Sequence, residues 1–71
     1  MPREAIIKKV NPYDLHGVRY YQIFLSYVDT PESLNEVRLP HDAVYPSPSD
    51  GDFVTVEAIL SMVTEVKKKD D

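Results

Sequence analysis

The residues best suited to bind another molecule are aromatic and cationic side chains in and around one short segment, residues 18–28. The candidates are Arg19, Tyr20, Tyr21, Tyr27, Arg38 and Tyr45. Aromatic rings on a strand can stack on the bases of a single-stranded nucleic acid, and neighbouring cations, here also Lys8 and Lys9, can contact its phosphates. Single-stranded nucleic acid is therefore one possible ligand.

The same tyrosines have two other interpretations. Aromatic side chains supply much of the buried area of a small core, so each ring is more often a packing residue than a binding residue. If one face of the segment stays exposed, its rings form an apolar patch, which usually marks a protein contact. Tyr45, Pro46 and Pro48 could also form an extended arm that a protein holds. We favour a protein partner or a homodimer, because the chain's acidic surplus does not attract a polyanion.

Metal chemistry has weak support in this sequence. His16 follows Asp14 in an expected loop and His41 adjoins Asp42, but neighbouring side chains of an extended chain point apart, and a metal needs three or four converging ligands. The acidic loop at residues 47–52 lacks the spacing of a calcium-binding loop and has the composition of tight turns. We expect no metal and no small-molecule cofactor.

Catalysis also has little support. The chain has no Cys, its serines lie in no recognisable nucleophile motif, and its two glycines cannot build a phosphate-binding loop. A core this small seldom encloses a substrate pocket. We therefore expect a protein that is not an enzyme by itself, with an active site shared between subunits as the third possibility.

Length and composition limit the elements that can position these residues. The chain has 71 residues, 42% hydrophobic and 28% charged, with a formal net charge of -4. Such a chain forms one domain with a single core, stabilised by packing because it has no disulfides. The acidic balance argues against a duplex-DNA binder. No apolar run suits a membrane span or a secretory signal, so we expect a soluble, cytoplasmic protein that does not bind membranes.

Turn-forming residues divide the chain into four apolar segments. Gly, Pro and their usual companions are concentrated at residues 11–17, 29–33 and 40–52. The segments between them are residues 4–10, 18–28, 34–39 and 53–67. In the second segment the alternate residues Tyr21, Ile23, Leu25 and Tyr27 share one face, and apolar residues also occupy the other. The pattern predicts a strand whose two faces are both covered at least in part.

The last segment decides the fold class. From Val54 to Val66, six of the seven alternate positions are apolar, and this period of two predicts a strand. The alternative is a helical stripe through Val56, Ile59, Leu60, Val63 and Val66. It would give an α+β fold with a helix that begins at about Thr55 and ends at about Lys67. We favour a strand because many of these residues are β-branched, and so long a strand must break near Ser61 or Thr64.

Five short strands in so short a chain predict an all-β domain, built as a small five-stranded barrel, closed or half-closed, which removes exposed sheet edges. The stretch from Gly51 to Leu60, a tight turn into an alternating strand, resembles late strands of OB-fold and SH3-like barrels. We predict one domain at residues 1–66 and a solvated charged tail at 67–71. We expect a non-catalytic interaction module that binds a protein or itself through the strand at 18–28, with a single-stranded nucleic-acid-binding OB-like domain as the alternative.

Overall fold

The computed structural model describes residues 2–60 and 62–69. In these ranges it contains five strands: β1 (Arg3–Leu15), β2 (Val18–Tyr27), β3 (Asn35–Pro40), β4 (Phe53–Ile59) and β5 (Met62–Lys68). A 3₁₀ turn, His41–Ala43, follows β3. The strands form one antiparallel sheet in the order β3-β2-β1-β4-β5, which confirms the all-β class. No helix in the described ranges is long and apolar enough to cross a membrane.

The first hairpin is longer than the sequence predicts, because β1 continues through residues 11–15, where the turn-forming residues predict a loop. The true turn is His16 and Gly17, whose φ angles of 52° and 78° suit a tight two-residue hairpin. Hydrogen-bonded and non-bonded pairs alternate along the ladder from Leu15 and Val18, the pair that closes the turn. That alternation places the nitrogen of Pro12 on the side away from β2. Because no ladder hydrogen bond is lost there, the strand tolerates this proline.

A β-bulge divides β1 into two halves with different neighbours. The register with β2 shifts between Ile7 and Lys9, which leaves Lys8 as the extra residue. The first half of the strand also pairs with β4 over residues 3–6. The second half pairs with β2 alone, so the β1–β2 hairpin projects beyond β4, while β3 lies beside β2 as far as Tyr20.

The core lies on one side of the curved sheet and follows the alternation of the strands. Its buried residues are Ala5, Ile7, Ile23, Leu25, Val37, Leu39, Val44, Val54, Val56 and Val66. Tyr21 and Tyr27 pack against this cluster. The predicted shared face of Tyr21, Ile23, Leu25 and Tyr27 is therefore the side of β2 that faces the core.

The C-terminal segment is two strands, as the period of two predicts. It breaks between Ile59 and Met62, and Ser61 itself lies outside the described residues. A bulge at Thr64 bends β5, since Ala58 pairs with Val63 but Glu57 pairs with Glu65. The ladder extends beyond Val66, because β5 includes Lys67 and Lys68 and the amide of Lys69 donates to the carbonyl oxygen of Phe53 at 3.0 Å. Asp70 and Asp71, the end of the expected tail, lie outside the described residues.

The sheet does not close into the predicted barrel. The segment that follows β3 and the 3₁₀ turn meets the edge strand β5 at an isolated parallel bridge between Val44 and Val66, where the amide of Tyr45 donates to the carbonyl oxygen of Val66 at 3.3 Å. Closure stops there because the chain leaves β3 for a 3₁₀ turn after only six residues. The number of strands is therefore as predicted, and the sheet that they form stays open between β3 and β5.

Candidate binding surface on the β-sheet

One tyrosine pair lies on the side of the sheet that faces away from the core. Tyr13 and Tyr20 are cross-strand partners, and their rings stack with centroids 5.7 Å apart and planes 19° from parallel. Leu15 and Val18 lie beside them and are 46% and 40% exposed. We call this surface the outer face: Asn11, Tyr13, Leu15, Val18, Tyr20, Gln22, Phe24, Glu36 and Arg38. It joins β1, β2 and β3 into one partly aromatic surface.

A shallow groove of about 460 Å³ runs across the outer face. It is lined by Asn11, Tyr13, Leu15, Gln22 and Arg38. Apolar side chains therefore flank the groove towards the hairpin turn, and polar side chains flank it towards β3. Such a mixed surface is typical of a contact site for a larger molecule rather than an enclosed site for a small one.

The polar half of the groove is held by a row of hydrogen bonds across three strands. The Asn11 amide nitrogen donates to the Gln22 Oε1 at 3.3 Å, and the Gln22 Nε2 donates to the Glu36 Oε2 at 2.5 Å. Arg38 Nε donates to the same Glu36 oxygen at 2.9 Å. The bond from Gln22, followed by that from Arg38, lowers the pKa of the Glu36 carboxyl. Glu36 is therefore a carboxylate near neutral pH.

The other candidate tyrosines of β2 do not lie on the outer face. Tyr21 and Tyr27 point to the opposite side of the strand, where they pack against the core. The guanidinium carbon of Arg3 lies 3.8 Å from the centroid of the Tyr27 ring, and the Arg3 Nη2 is 2.8 Å from the Asp29 Oδ1. Arg3 thus covers one side of that ring by a cation–π contact.

Arg19 lies on the opposite side of β2 from Tyr20, near the hairpin turn. Its Nε donates to the Asp14 Oδ1 at 2.8 Å, and this bond, followed by the charge of Asp14, raises the pKa of Arg19. Arg19 and Arg38, the two arginines proposed to contact phosphates, therefore both engage carboxylates of this chain. Of the six candidates, only Tyr20 and Arg38 share the outer face.

Tyr45 fastens the loop at residues 45–52 to the core. Its hydroxyl donates to the Asp52 Oδ2 at 2.5 Å, and the amide of Ser49 donates to the same oxygen at 3.1 Å. Burial, followed by the hydrogen bond to Asp52, raises the pKa of Tyr45, and the bond from Tyr45 lowers the pKa of Asp52. The amide of Gly51 also donates to the carbonyl oxygen of Ile7 at 2.7 Å, at the edge of the β1 bulge.

The sequence analysis missed Tyr13 and Leu15, the partners of Tyr20 and Val18. Both were assigned to a loop because Pro12 and Gly17 lie nearby. The signal that could have found them is the alternation of Asn11, Tyr13 and Leu15 directly before a two-residue turn, which is typical of a hairpin.

A second exposed apolar surface is the turn between β4 and β5. Ile59, Leu60 and Met62 are 65%, 94% and 72% exposed. Leu60 has a φ of 51°, in the left-handed region that a leucine rarely adopts. Met62 and Val63 face Glu36, Val37 and Arg38 of β3 across a cleft of about 260 Å³. This cleft is the unclosed part of the sheet.

The described residues hold no grouping that points to metal chemistry. In residues 2–60 and 62–69, no three His, Asp or Glu side chains are placed to hold a metal ion together. His16 and His41 are both exposed, the first in the hairpin turn and the second in the 3₁₀ turn. Comparison with family models, curated proteins and solved structures found no match to this chain.

Proposed function

We propose that this chain is a non-catalytic interaction module that binds a protein, another kind or a second copy, through the outer face. The observation that carries the proposal is the stacked pair of Tyr13 and Tyr20 on the side of the sheet opposite the core. Rings placed there add nothing to the core that already fills the other side. Tyrosine and arginine are the residue types most enriched in the energetic centres of protein interfaces.

The residues around this pair support a protein ligand. Leu15 and Val18 offer exposed apolar area beside the rings. Gln22 and Arg38 supply hydrogen-bonding groups at the other end of the groove. An apolar centre with a polar rim is the usual anatomy of a protein interface.

The same geometry makes single-stranded nucleic acid the weaker candidate. Binding of a phosphate backbone depends on cationic side chains that are free to neutralise its phosphates, because this releases the counterions of the nucleic acid. Arg38 is engaged by Glu36 at 2.9 Å, Arg19 is engaged by Asp14 at 2.8 Å, and the chain carries a formal net charge of -4. A phosphate group would have to displace a carboxylate at each arginine.

The proposal can be tested with a photo-crosslinking amino acid placed at Tyr20 and, as a matched control, at Phe53. Phe53 is an aromatic residue that is 53% exposed, whereas Tyr20 is half-buried, and it lies on β4 away from the groove. A protein crosslinked in cells from Tyr20 and not from Phe53 is then purified and titrated. We expect Tyr20→Ala to weaken its affinity about tenfold or more, since central tyrosines are frequent hot spots, and Phe53→Ala to leave it within about twofold.

Two results would count against a protein ligand. One is equal crosslinking from both positions, together with equal affinities of the purified partner for the Tyr20 and Phe53 variants. The other is binding of a labelled oligothymidine that falls steeply as salt is added and disappears in Tyr20→Ala. The second result would replace the proposal by the nucleic-acid alternative.

A further inference from the structure

The longest unpaired stretches of strand edge in the described part of the sheet are those of β3, β5 and the outer half of β1, and the last two are protected. The outer half of β1 presents Pro12, whose nitrogen has no hydrogen to offer to an added strand. The β5 edge is bent by the bulge at Thr64, and the carbonyl oxygen of Val66 already accepts a bond from Tyr45. The remaining stretch is β3, whose proline, Pro40, lies at the end of the strand, so that Asn35 to Arg38 have no proline and no bulge.

The free backbone groups of β3 can be identified from the register. Counted from the hairpin turn, Ile23 and Leu25 are the β2 residues whose amides and carbonyls point towards β3. Their partners are Val37 and Asn35. Backbone groups alternate in direction along a strand. Glu36 and Arg38, which flank Val37, therefore direct their amides and carbonyls away from β2, towards the cleft.

The side chains of Glu36 and Arg38 pair with each other within the chain at 2.9 Å, and each can exchange that partner for its counterpart on a second copy of the same strand. When two β3 strands pair antiparallel about a twofold axis at Val37, Glu36 of each lies opposite Arg38 of the other. These are also the residues that carry the free backbone groups, so each such pair exchanges two hydrogen bonds. Lysines are common on edge strands that avoid pairing, and like charges directly opposite each other across a twofold axis repel. Here the signs alternate.

We propose that two copies of this chain associate through their β3 edges, with Val37 on the twofold axis and two Glu36–Arg38 pairs across it. This inference goes beyond the proposed function, because the β3 edge is a second contact surface, separate from the outer face. The association is isologous and therefore stops at two chains. It places the outer faces of the two copies side by side as one longer surface with two tyrosine pairs.

The cleft next to β3 admits a second strand only when β5, which packs against β3, moves away from it. The cleft is open to solvent, and Met62 and Val63 give it an apolar wall opposite β3. Met62 is 72% exposed without a partner, so a strand in the cleft would cover it.

The test uses the full-length chain and exchanges the charges of β3. Glu36→Lys places lysine opposite arginine, and Arg38→Glu places glutamate opposite glutamate, in both cases at two sites per dimer. We expect each single variant to weaken self-association about tenfold or more in sedimentation equilibrium. The double variant Glu36→Arg with Arg38→Glu restores both pairs and should dimerise like the original chain. Glu32→Lys, the same charge change in the exposed turn before β3, is the control.

Mixing provides a readout that misfolding cannot imitate. The Glu36→Lys and Arg38→Glu variants, each monomeric alone, should form a mixed dimer because all four charges are then complementary. Hydrogen exchange should show the amides of Glu36 and Arg38 becoming protected as protein concentration rises, while that of Val37 is protected throughout. A chain that remains monomeric at about 1 mM, or a dimer unaffected by both charge reversals, would overturn the proposal.

Failure of this inference can be separated from failure of the proposed function. Tyr20→Ala should leave the dimer within about twofold of its original affinity while it weakens the outer-face partner. A monomeric chain that still shows Tyr20-dependent binding of another protein would overturn the β3 interface alone. A charge-sensitive dimer with no Tyr20-dependent binding would place the interaction at the edge of the sheet rather than on its outer face.

Discussion

At the scale of single residues, the most informative contact is the hydrogen bond from Tyr45 to Asp52. It ties the loop at residues 45–52 to a carboxylate that also accepts the amide of Ser49. We predict that Tyr45→Phe lowers the melting temperature by about 5 °C, because one hydrogen bond is lost and Asp52 keeps one donor fewer. Thermal unfolding followed by circular dichroism measures this. Tyr13→Phe, which removes a hydroxyl from the outer face, is the control and should melt like the original chain.

The same pair gives this prediction a pH signature. The pKa of Asp52 is lowered in the folded chain, first by the bond from Tyr45. Its contribution to stability is therefore complete above the ordinary carboxyl pKa of about 4 and is lost as the pH falls through the lowered value. The difference between the original chain and Tyr45→Phe should be constant near neutral pH and shrink below about pH 4. A difference that stays unchanged down to pH 2 would mean that Tyr45 acts by packing and not through Asp52.

Sequence analysis identified Tyr20, Tyr21, Tyr27 and Tyr45 as one candidate set, yet the structure gives them different surroundings. The period of two correctly separates Tyr20 from Tyr21 and Tyr27. The stacking partner of Tyr20 and the cation over Tyr27 both come from β1, which the period within β2 does not contain. A residue's own strand can reveal its face, whereas its neighbours on that face depend on the register with another strand.

At the scale of elements, Pro12 shows how one residue determines both where a strand can run and what its edge can bind. Its missing amide hydrogen is on the open side of β1, so the hairpin keeps its ladder and the edge loses a donor. We predict that Pro12→Thr leaves the fold intact and increases self-association. Light scattering of concentrated samples over time measures this association. Pro46→Thr, an equivalent change in an exposed loop, is the control.

The Pro12 prediction also distinguishes the β1 edge from the β3 edge. New association through β1 should persist when Glu36→Lys is added, because the two edges lie on opposite sides of the β1–β2 hairpin. Unchanged scattering for Pro12→Thr would show that the projecting shape of the hairpin, and not its proline, keeps this edge unpaired.

Local pattern predicted the strands well wherever a single period extends over the whole element. The alternation from Val54 to Val66 correctly favours two strands over a helix, and the break falls next to Ser61. The pattern fails at residues 11–15, because Pro12 is evidence against a strand only when its nitrogen faces a partner. Whether the outer side of β1 has a partner depends on where β4 begins, and that point, Phe53, is far away in sequence.

At the scale of the whole molecule, the open state of the sheet could not be predicted from local patterns. Five strands predict a barrel, but closure requires the two edge strands to be long enough and staggered enough to meet. β3 has six residues before the 3₁₀ turn, and among the described residues that follow it Val44 and Tyr45 make the backbone bridge to β5. The difference between a closed barrel and an open sheet therefore depends on a few residues in the segment 40–52, which the sequence predicts to be a loop.

The single bridge between the edges gives the last prediction. Val66 is 1% exposed, belongs to the core and pairs with Val44 across the open seam. Val66→Ala removes two buried carbon atoms and should cost about 2–3 kcal/mol, a large part of the roughly 4–11 kcal/mol expected for a domain of this length. We expect a lower melting temperature and an amide of Tyr45 that exchanges faster than the global loss of stability explains, because the seam opens first. Val63→Ala, on the same strand and half-buried but outside the bridge, should lower the melting temperature less. The Tyr45 amide of this variant should exchange only as fast as its global stability predicts. Equal effects of the two variants on that amide would mean that the sheet edges are held by the core as a whole and that the bridge has no separate role.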